Sequence, residues 1–380
     1  MLQTDFKGIQ LSRLGFGTMR LPLLEDGNID VAQTREMTRY AIEHGINYFD
    51  TAYPYHNGFS ERVVGEILKE FPRESWYLAD KYPGHQHVAR FTPKETFEQQ
   101  LAKCGVDYFD FYLMHNVCEN SLPTYMNTEW GILDYFVEQK RLGRIRHLGF
   151  SSHAEVETLR DFLDSPYGEH MEFCQIQLNY VDWTLQRARE KCSLLAERGI
   201  PVWVMEPLRG GLLAKQTDPS LAFRWLLEVP GVKVILSGMS DFNQMKANIA
   251  TFENPAPLSE AERAQLEEIS VRLQNRVPCT GCRYCTGECP QSLDIPLFIN
   301  AYNDMAMQVN FTPLMRIEAL EEGLRPSACL GCGACAQMCP QGIDIPGVIA
   351  RLNDLLAGTT SWADICRHRE IVQRDAEVKI

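Results

Sequence analysis

The chain has 380 residues, 45% hydrophobic and 23% charged, which is enough for one large domain and a smaller one. Its formal charge of −13 argues against nucleic acid and anionic membrane surfaces as partners. No apolar run reaches the roughly 18 residues of a membrane span and no signal-like segment follows Met1, which together predict a cytoplasmic protein.

Eight short apolar runs recur along the chain up to Gly238, and amphipathic stretches separate most of them. Apolar strands that alternate with helices predict a parallel sheet covered on its outside. Eight such units match a (β/α)8 TIM barrel, for which about 250 residues are typical. Four runs follow a glycine that suits the left-handed end of a helix: Gly45, Gly105, Gly143 and Gly199. In chain order the runs are SRLGFGTM, NYFDTA, WYLADKY, VDYFDFYLMH, RIRHLGFSS, FCQIQLN, IPVWVMEP and VKVILSG.

An open, doubly wound sheet is the alternative architecture. It would carry a glycine-rich fingerprint that opens a helix after the first strand, but here GFGTMRLP leads into a proline. The barrel is therefore the preferred α/β fold, and we assign it to residues 1–257.

Polar side chains follow the second, third and fourth predicted strands: Asp50, Tyr55, Lys81 and His115. We expect them to meet, because the carboxyl ends of barrel strands share one face. A lysine beside a tyrosine lowers the tyrosine pKa from about 10, and Asp50 would hold that lysine in place. His115 could hydrogen-bond a substrate carbonyl oxygen, so the set suits proton delivery. Each residue alone also has a structural explanation, such as a helix cap or a loop side chain.

The stretch GINYFDTAYPYHNGFSERVVGEIL, with the later DK and YLMH, resembles the aldo-keto reductase superfamily from about Leu11 to Asn248. The resemblance implies a barrel that reduces small-molecule carbonyls, or oxidises the alcohols, with NAD(P)H. It places Asp50, Tyr55, Lys81 and His115 at the catalytic tetrad, with Tyr55 as general acid.

The same resemblance implies a cofactor site with several departures from the family pattern. Ser152 stands where asparagine is usual, and Met205 stands where many members have a stacking tyrosine. Gly238, Met239 and Gln244 replace the lysine, serine and arginine that select the 2′-phosphate, so NADH and NADPH both stay open, as does a flavin such as FMN. The implied set is Gly17, Thr18, Met19, Asp50, Ser151, Ser152, Gln175, Met205, Pro207, Leu208, Gly210, Ser237, Gly238, Gln244 and Asn248.

Residues 258–278 are predicted to connect the barrel to a second region through one amphipathic helix. Ser259 is placed to cap this helix, and Glu262 follows three residues later in a capping-box pattern.

Two cysteine-rich segments, CTGCRYCTGECP and CLGCGACAQMCP, repeat at an offset of 50 residues. The spacing C-x2-C-x2-C-x3-C-P is typical of 4Fe-4S clusters, whereas structural zinc usually takes two separated cysteine pairs. The eight candidate ligands are Cys279, Cys282, Cys285, Cys289, Cys329, Cys332, Cys335 and Cys339.

From about Pro278 to Gly358 the chain resembles two-cluster ferredoxins, in which the fourth cysteine of each run ligates the other cluster. The segment between the runs has a helical pattern, which predicts a small, mainly α-helical ferredoxin-like domain at 279–358 and a tail at 359–380. Interlocked ligation would make both halves unfold when the metal is removed. The implied sets are Cys279, Cys282, Cys285 and Cys339 for one cluster, and Cys329, Cys332, Cys335 and Cys289 for the other.

The other cysteines are interpreted as buried, inert thiols: Cys104, Cys118, Cys174, Cys192 and Cys366. His85 and His87 follow the Lys81 strand, and we favour a plain loop there over a second metal site. Candidates for the substrate wall are Tyr53, His56, Tyr82 and Trp183.

The leading interpretation is an iron–sulfur oxidoreductase of the aldo-keto reductase type. Nicotinamides transfer electrons in pairs and each cluster accepts one, so a flavin or a separate redox partner protein would have to mediate between them. One alternative is a flavin-containing electron-transfer protein in which the barrel serves as a platform for a cofactor or partner. Another is a reductase in which the clusters are structural only.

Overall fold

The computed structural model describes residues 1–85, 92–274 and 277–378, with side chains up to residue 372. Strands β3 to β10 pair in parallel, and β10 pairs back with β3 to close an eight-stranded barrel. This confirms the predicted barrel and all eight predicted strands. The strands are β1 (Gln3–Phe6), β2 (Ile9–Ser12), β3 (Leu14–Gly17), β4 (Tyr48–Asp50), β5 (Tyr77–Tyr82), β6 (Phe109–Val117), β7 (Ile145–Ser152), β8 (Cys174–Gln177), β9 (Val202–Met205) and β10 (Val232–Gly238).

The helices of the barrel region follow the strands. The four predicted glycines have positive φ angles of 84°, 61°, 76° and 67° in chain order, as the end of each helix requires. The helices are α1 (Val31–Glu43), α2 (Ser60–Leu68), α3 (Pro93–Cys104), α4 (Leu122–Tyr125), α5 (Ile132–Arg141), α6 (Val156–Asp164), α7 (Asp182–Leu185), α8 (Ala188–Glu197), α9 (Pro219–Leu227) and α10 (Phe242–Glu253).

The amino-terminal end of the barrel is closed by the β1–β2 hairpin, which the sequence did not predict. Phe6 packs edge-on against Trp203 at 5.0 Å between ring centres, and Phe111 lies 5.8 Å from Phe6. These side chains are buried in one apolar cluster inside the barrel. We therefore expect the active site at the opposite end of the barrel, where the carboxyl ends of the strands lie.

The carboxyl-terminal region is helical, as predicted. Ser259 and Glu262 form the predicted capping box, since Ser259 N donates to Glu262 Oε2 at 2.8 Å and Glu262 N donates to Ser259 Oγ at 3.3 Å. The helices are α11 (Glu260–Gln274), α12 (Tyr284–Gly287), α13 (Ile295–Met307), α14 (Phe311–Glu318), α15 (Ala334–Gln337), α16 (Ile345–Ala357) and α17 (Trp362–Val378).

The internal repeat of the sequence is visible in the structure. Helices α13 and α16 each begin after an aspartate that accepts a backbone hydrogen bond, and they pack together around a shared apolar cluster. Asn303 Nδ2 donates to Val277 O at 2.9 Å, and its repeat equivalent Asn353 donates to Pro326 O at 3.2 Å. Each asparagine thus fixes the backbone that enters one cysteine loop.

The segment expected to be a tail forms helix α17, and this helix packs on the barrel. Trp362 and Cys366 are buried in a cluster with Cys118, Ala154 and Met315. Within the described ranges, no helix is both long enough and apolar enough to span a membrane.

Candidate active site

Lys81 and Asp50 form a buried ion pair at the ends of neighbouring strands. Lys81 Nζ lies 2.6 Å from Asp50 Oδ1 and donates a second hydrogen bond of 2.6 Å to Thr51 O. The two charged residues are 0% and 2% exposed. Burial alone lowers the pKa of Lys81, but Asp50 and Tyr55 outweigh burial and the pKa is raised. Lys81 therefore stays charged at neutral pH.

Tyr55 begins a short 3-10 turn, and its ring lies beside this ion pair. Lys81 Nζ is 4.9 Å from the centre of the Tyr55 ring. Burial raises the pKa of the Tyr55 hydroxyl, and the opposing charge of Lys81 does not offset it. The sequence predicted a lowered pKa for Tyr55. The direction differs because burial removes the solvation that would stabilise the charged phenolate. The hydroxyl therefore keeps its proton through the neutral range.

His115 faces Tyr55 from strand β6. The two rings meet edge to face, with centres 6.0 Å apart and an interplanar angle of 82°. Tyr125 donates its hydroxyl proton to His115 O at 2.8 Å, and this fixes the backbone there. Burial lowers the pKa of His115 well below its usual value, and His85 and Lys81 lower it further. The imidazole is therefore neutral and can donate one hydrogen bond to a substrate oxygen.

These groups converge on one cavity of about 420 Å³ at the carboxyl end of the barrel. Tyr55, Lys81 and His115 line the cavity, whereas Asp50 acts on it through Lys81. Gln175 Oε1 is buried in this wall without a hydrogen-bond partner in the described residues. Of the predicted cofactor residues, the cavity wall includes Met19, Ser151, Gln175, Met205 and Gly210.

Other predicted cofactor residues lie beside the cavity and make contacts within the barrel. Thr18 Oγ1 donates to Asp50 O at 2.9 Å, and Ser152 Oγ donates to Val117 O at 2.8 Å. Pro207 is buried, and Leu208 packs against the apolar core. These side chains support the cavity rather than line it.

The residues predicted to contact the nucleotide part of the cofactor lie on β10 and α10, outside the cavity wall. Asn248 Nδ2 donates to Ser237 Oγ at 3.1 Å, and Ser240 N donates to Gln244 Oε1 at 3.0 Å. The remaining members, Gly17 and Gly238, pair across β3 and β10.

Arg20 lies against Gly238, where the sequence predicted no cation. A Cβ atom at Gly238 would meet Arg20 Cβ at 3.1 Å, and Arg20 Nη2 lies 3.4 Å from Glu206 Oε1. Nothing in the motif around Arg20 indicated this contact, which joins the loops after β3, β9 and β10.

Residues 308–315 and helix α17, together termed the roof, cover the cavity. Phe311 and Trp362 come from the two parts of the roof, and their ring centres are 5.5 Å apart. Trp362 also stacks on His85 at 5.9 Å. The roof residues in the cavity wall are Gln308, Val309, Asn310, Phe311, Thr312, Met315, Trp362 and Arg369.

A buried charge network fastens the roof to the barrel. Arg209, after β9, pairs with Asp304 of α13, and its Nε lies 3.2 Å from Asp182 Oδ1. Asn310 Nδ2 and the Gln186 side chain both donate to Asp304. The three charged side chains are at most 4% exposed, so removing Arg209 would leave two buried carboxylates without a cation.

The cysteine-rich region contains two small cavities, each lined by four thiols. The grouping mixes the two runs, because Cys339 joins the first run and Cys289 joins the second. All eight thiols are free of disulfides. Four thiols around one space are the donor set that a 4Fe-4S cluster takes, so the residues fit that group. The sets are Cys279, Cys282, Cys285 and Cys339, and Cys289, Cys329, Cys332 and Cys335.

The remaining candidates divide between the cavity and the core. The five cysteines outside the motif are all buried, as predicted. His56 and His85 line the cavity, whereas Tyr82 is buried in the barrel core and Trp183 packs against Trp225. His87 lies outside the described residues, and Tyr53 is buried. Elsewhere in the described residues, no three His, Cys, Asp or Glu side chains are arranged to hold a single metal ion.

Comparison with known proteins links both regions to established families. Residues 13–221 match the Aldo/keto reductase family, and residues 278–343 match the 4Fe-4S dicluster domain. The NADH-specific methylglyoxal reductase of Escherichia coli is 26% identical over 327 residues, which cover 70% of this chain and 97% of that protein.

Solved structures agree with the barrel. The holo form of an aldo-keto reductase from Bacillus halodurans has a TM-score of 0.57 and 25% identity, covering 71% of this chain and 96% of that one. An aldo-keto reductase from Klebsiella pneumoniae in complex with NADPH has a TM-score of 0.56 over 71% and 96% of the two chains. At 20% identity, this second likeness concerns the fold alone.

Proposed function

Since this chain belongs to the aldo/keto reductase family and carries a 4Fe-4S dicluster domain, we propose that it reduces carbonyl compounds, or oxidises the alcohols, with NAD(P)H and Tyr55 as general acid. The convergence of Tyr55, His115 and the Lys81–Asp50 pair on one cavity is the observation that carries the proposal. The family acts on small-molecule carbonyl substrates, and a cavity of about 420 Å³ lies within the size range of small-molecule sites.

Each residue of the set has a role that follows from its protonation state. Tyr55 keeps its proton until it transfers it to the carbonyl oxygen, and Lys81 stabilises the phenolate that remains. His115, neutral, donates a hydrogen bond to the same oxygen. Asp50 keeps Lys81 charged and in place.

The cavity wall offers groups that fit a nicotinamide. The unpaired Gln175 Oε1 can accept a hydrogen bond from a carboxamide, with Ser151 next to it across the β7–β8 pair. Met205 can cover one face of the ring. A bound nicotinamide supplies the hydride, and the chain's own residues orient it and exclude water from it.

We extend the proposal to two 4Fe-4S clusters coupled to the barrel. Support comes from the two four-thiol cavities and from residues 308–315, which lie between the two cysteine runs and also form a wall of the active-site cavity. The cysteine-rich domain therefore helps to form the substrate site, in addition to any role in electron transfer.

The test uses protein purified without oxygen, with NADH or NADPH and a simple aldehyde. Wild-type protein should oxidise the nicotinamide, and Tyr55→Phe should lose about 100-fold or more of kcat, since general acid catalysis contributes about 10²- to 10⁴-fold. Nicotinamide binding, followed by fluorescence, should persist in the variant. Tyr108→Phe is the matched control, because Tyr108 directly precedes β6 at the opposite end of that strand from His115.

A flavin-containing electron-transfer protein is the second candidate, favoured by Met205 in place of a stacking aromatic residue. The visible spectrum of the same anaerobic protein, and of its released cofactor, decides between the two. Released FMN, together with no aldehyde turnover from either nicotinamide, would replace the reductase with this alternative.

A further inference from the structure

Arg369 of the roof places a positive charge in the wall of the active-site cavity. It lines the same cavity as Tyr55, His85 and His115. Burial lowers the pKa of His85 to about 3, and the charge of Arg369 is the next cause. The guanidinium and the Tyr55 hydroxyl also act on each other electrostatically. Helix α17 also packs against the turn that begins at Tyr55, so Arg369 and the proposed proton donor lie on contacting elements of one cavity wall.

Two aromatic rings hold the Arg369 side chain in this position. Its guanidinium carbon lies 5.8 Å from the ring centre of Phe311 and 5.6 Å from that of Trp362. Such contacts orient a cation but do not use its N–H groups. Across the described part of the chain, Arg369 has neither a hydrogen-bond acceptor nor a carboxylate within ion-pair distance. Its donors are therefore available to a ligand.

The other cations of the cavity wall differ from Arg369, because each already has a carboxylate. Lys81 pairs with Asp50, and Arg20 pairs with Glu206. Arg209 pairs with Asp182 and Asp304. Only for Arg369 is the counter-charge missing among the described residues, although the chain as a whole carries a charge of −13.

We propose that Arg369 binds a carboxylate on the substrate, so that the enzyme acts on aldehydes or ketones that are also carboxylic acids. The inference rests on the proposed function for its chemistry, and it names the substrate class of that same site. A planar guanidinium matches a carboxylate with two parallel hydrogen bonds. One unpaired cation balances a monoanion, whereas a phosphate dianion would leave one charge uncompensated in the cavity.

The test compares an acid with its neutral ester. Para-carboxybenzaldehyde and succinic semialdehyde are each paired with their methyl esters, and kcat/KM is measured for all four. Wild-type protein should prefer the acids, and in Arg369→Met the acid-to-ester ratio should fall by about 10- to 100-fold, the loss expected for a charge-assisted hydrogen bond. Arg369→Lys should retain part of the preference. Arg367→Met, on the exposed side of the same helix, is the control and should keep the wild-type ratio.

A second measurement separates this inference from the proposed function. Isothermal titration calorimetry follows the binding of para-(hydroxymethyl)benzoate, the alcohol product, to wild-type protein and to Arg369→Met. If no aldehyde is turned over but the acid binds and binding is lost in Arg369→Met, the reductase proposal fails and the carboxylate site stands. Equal turnover of acid and ester by wild-type protein, or an unchanged acid-to-ester ratio in Arg369→Met, overturns the site.

Discussion

Lys81 Nζ and Asp50 Oδ1 lie 2.6 Å apart beneath the cavity, and both residues are buried. A buried pair of this kind matters most when one partner is removed, because the remaining charge keeps its desolvation cost. Because Lys81 also lies beside Tyr55, breaking the pair should affect both the stability of the barrel and catalysis by Tyr55.

Asp50→Asn should lower both stability and turnover. We expect the free energy of unfolding to fall by about 3 to 5 kcal/mol, because the Lys81 ammonium would keep only neutral partners. Urea unfolding and kcat, measured on the same preparation, check this. Glu138→Gln breaks the exposed Glu138–Arg141 pair and should change the unfolding free energy by less than about 1 kcal/mol. Similar losses in both variants would contradict the role given to the buried pair.

The pH profile of carbonyl reduction should be flat across the neutral range. Burial raises the pKa of Tyr55 above its usual 10.0, so the acid form persists as pH rises toward that value. Burial lowers the pKa of His115 well below its usual 6.5, so the neutral imidazole persists as pH falls through that value. We therefore expect kcat/KM to be constant between these two pH values. A fall on the alkaline side near neutrality would show that Lys81, rather than burial, sets the pKa of Tyr55.

Asp304→Asn should loosen the roof. The Arg209–Asp182 pair keeps its charge balance, but the hydrogen bonds that Arg209, Asn310 and Gln186 donate to the Asp304 carboxylate are weakened or lost. We therefore expect the free energy of unfolding to fall by about 1.5 to 3 kcal/mol, together with a higher KM for the aldehyde. Thermal unfolding and steady-state kinetics report the two effects. The matched control is Asp354→Asn, because Asp354 is the exposed equivalent of Asp304 in the internal repeat. An effect of equal size at both positions would show that the network does not dock the domain.

Gln244→Arg should shift the preference toward NADPH. The family resemblance puts this position at the 2′-phosphate, and an arginine there gains a charge-assisted hydrogen bond worth about tenfold in KM. The KM for NADH should change by less than about twofold, since that cofactor lacks the phosphate. Gln99→Arg, exposed on α3, controls for the added charge. If the KM values for both cofactors change equally, the phosphate does not bind at Gln244.

The interlocked thiol sets predict which cysteine substitutions act together. Cys339→Ser should remove the same cluster as Cys282→Ser, so the double variant should lose no more iron than either single variant. Cys339→Ser with Cys332→Ser should lose the iron of both clusters. Iron content and visible absorbance of anaerobic protein measure this, with Cys192→Ser as a control that keeps all the iron. Additive loss for the first pair would contradict the mixed ligation.

The barrel could be predicted because its signals are local. Each strand is a continuous apolar run, and Gly45, Gly105, Gly143 and Gly199 mark the preceding helix ends. The capping box at Ser259 is equally local. The β1–β2 hairpin was missed because its strands are four residues long and partly exposed, so they give no continuous apolar run.

The roof could not be predicted, because it depends on contacts between residues far apart in sequence. Phe311 and Trp362 meet over a cavity built from strands that all end by Gly238, and Arg369 lies in a charged segment that resembles ordinary surface. The raised pKa of Tyr55 has the same origin, since burial depends on what covers a residue. The identities of Tyr55, Lys81 and His115 were visible in the sequence, whereas their surroundings were not.

The two halves of the cysteine-rich repeat share one contact and differ in another. Asn303 and Asn353 each donate a hydrogen bond to the backbone that precedes a cysteine run. Of the two aspartates that follow them, Asp304 pairs with Arg209 of the barrel, whereas Asp354 is exposed to solvent. The two halves therefore match in their thiols but not in their surroundings, because, among the described residues, only the aspartate of the first half is held by a buried arginine.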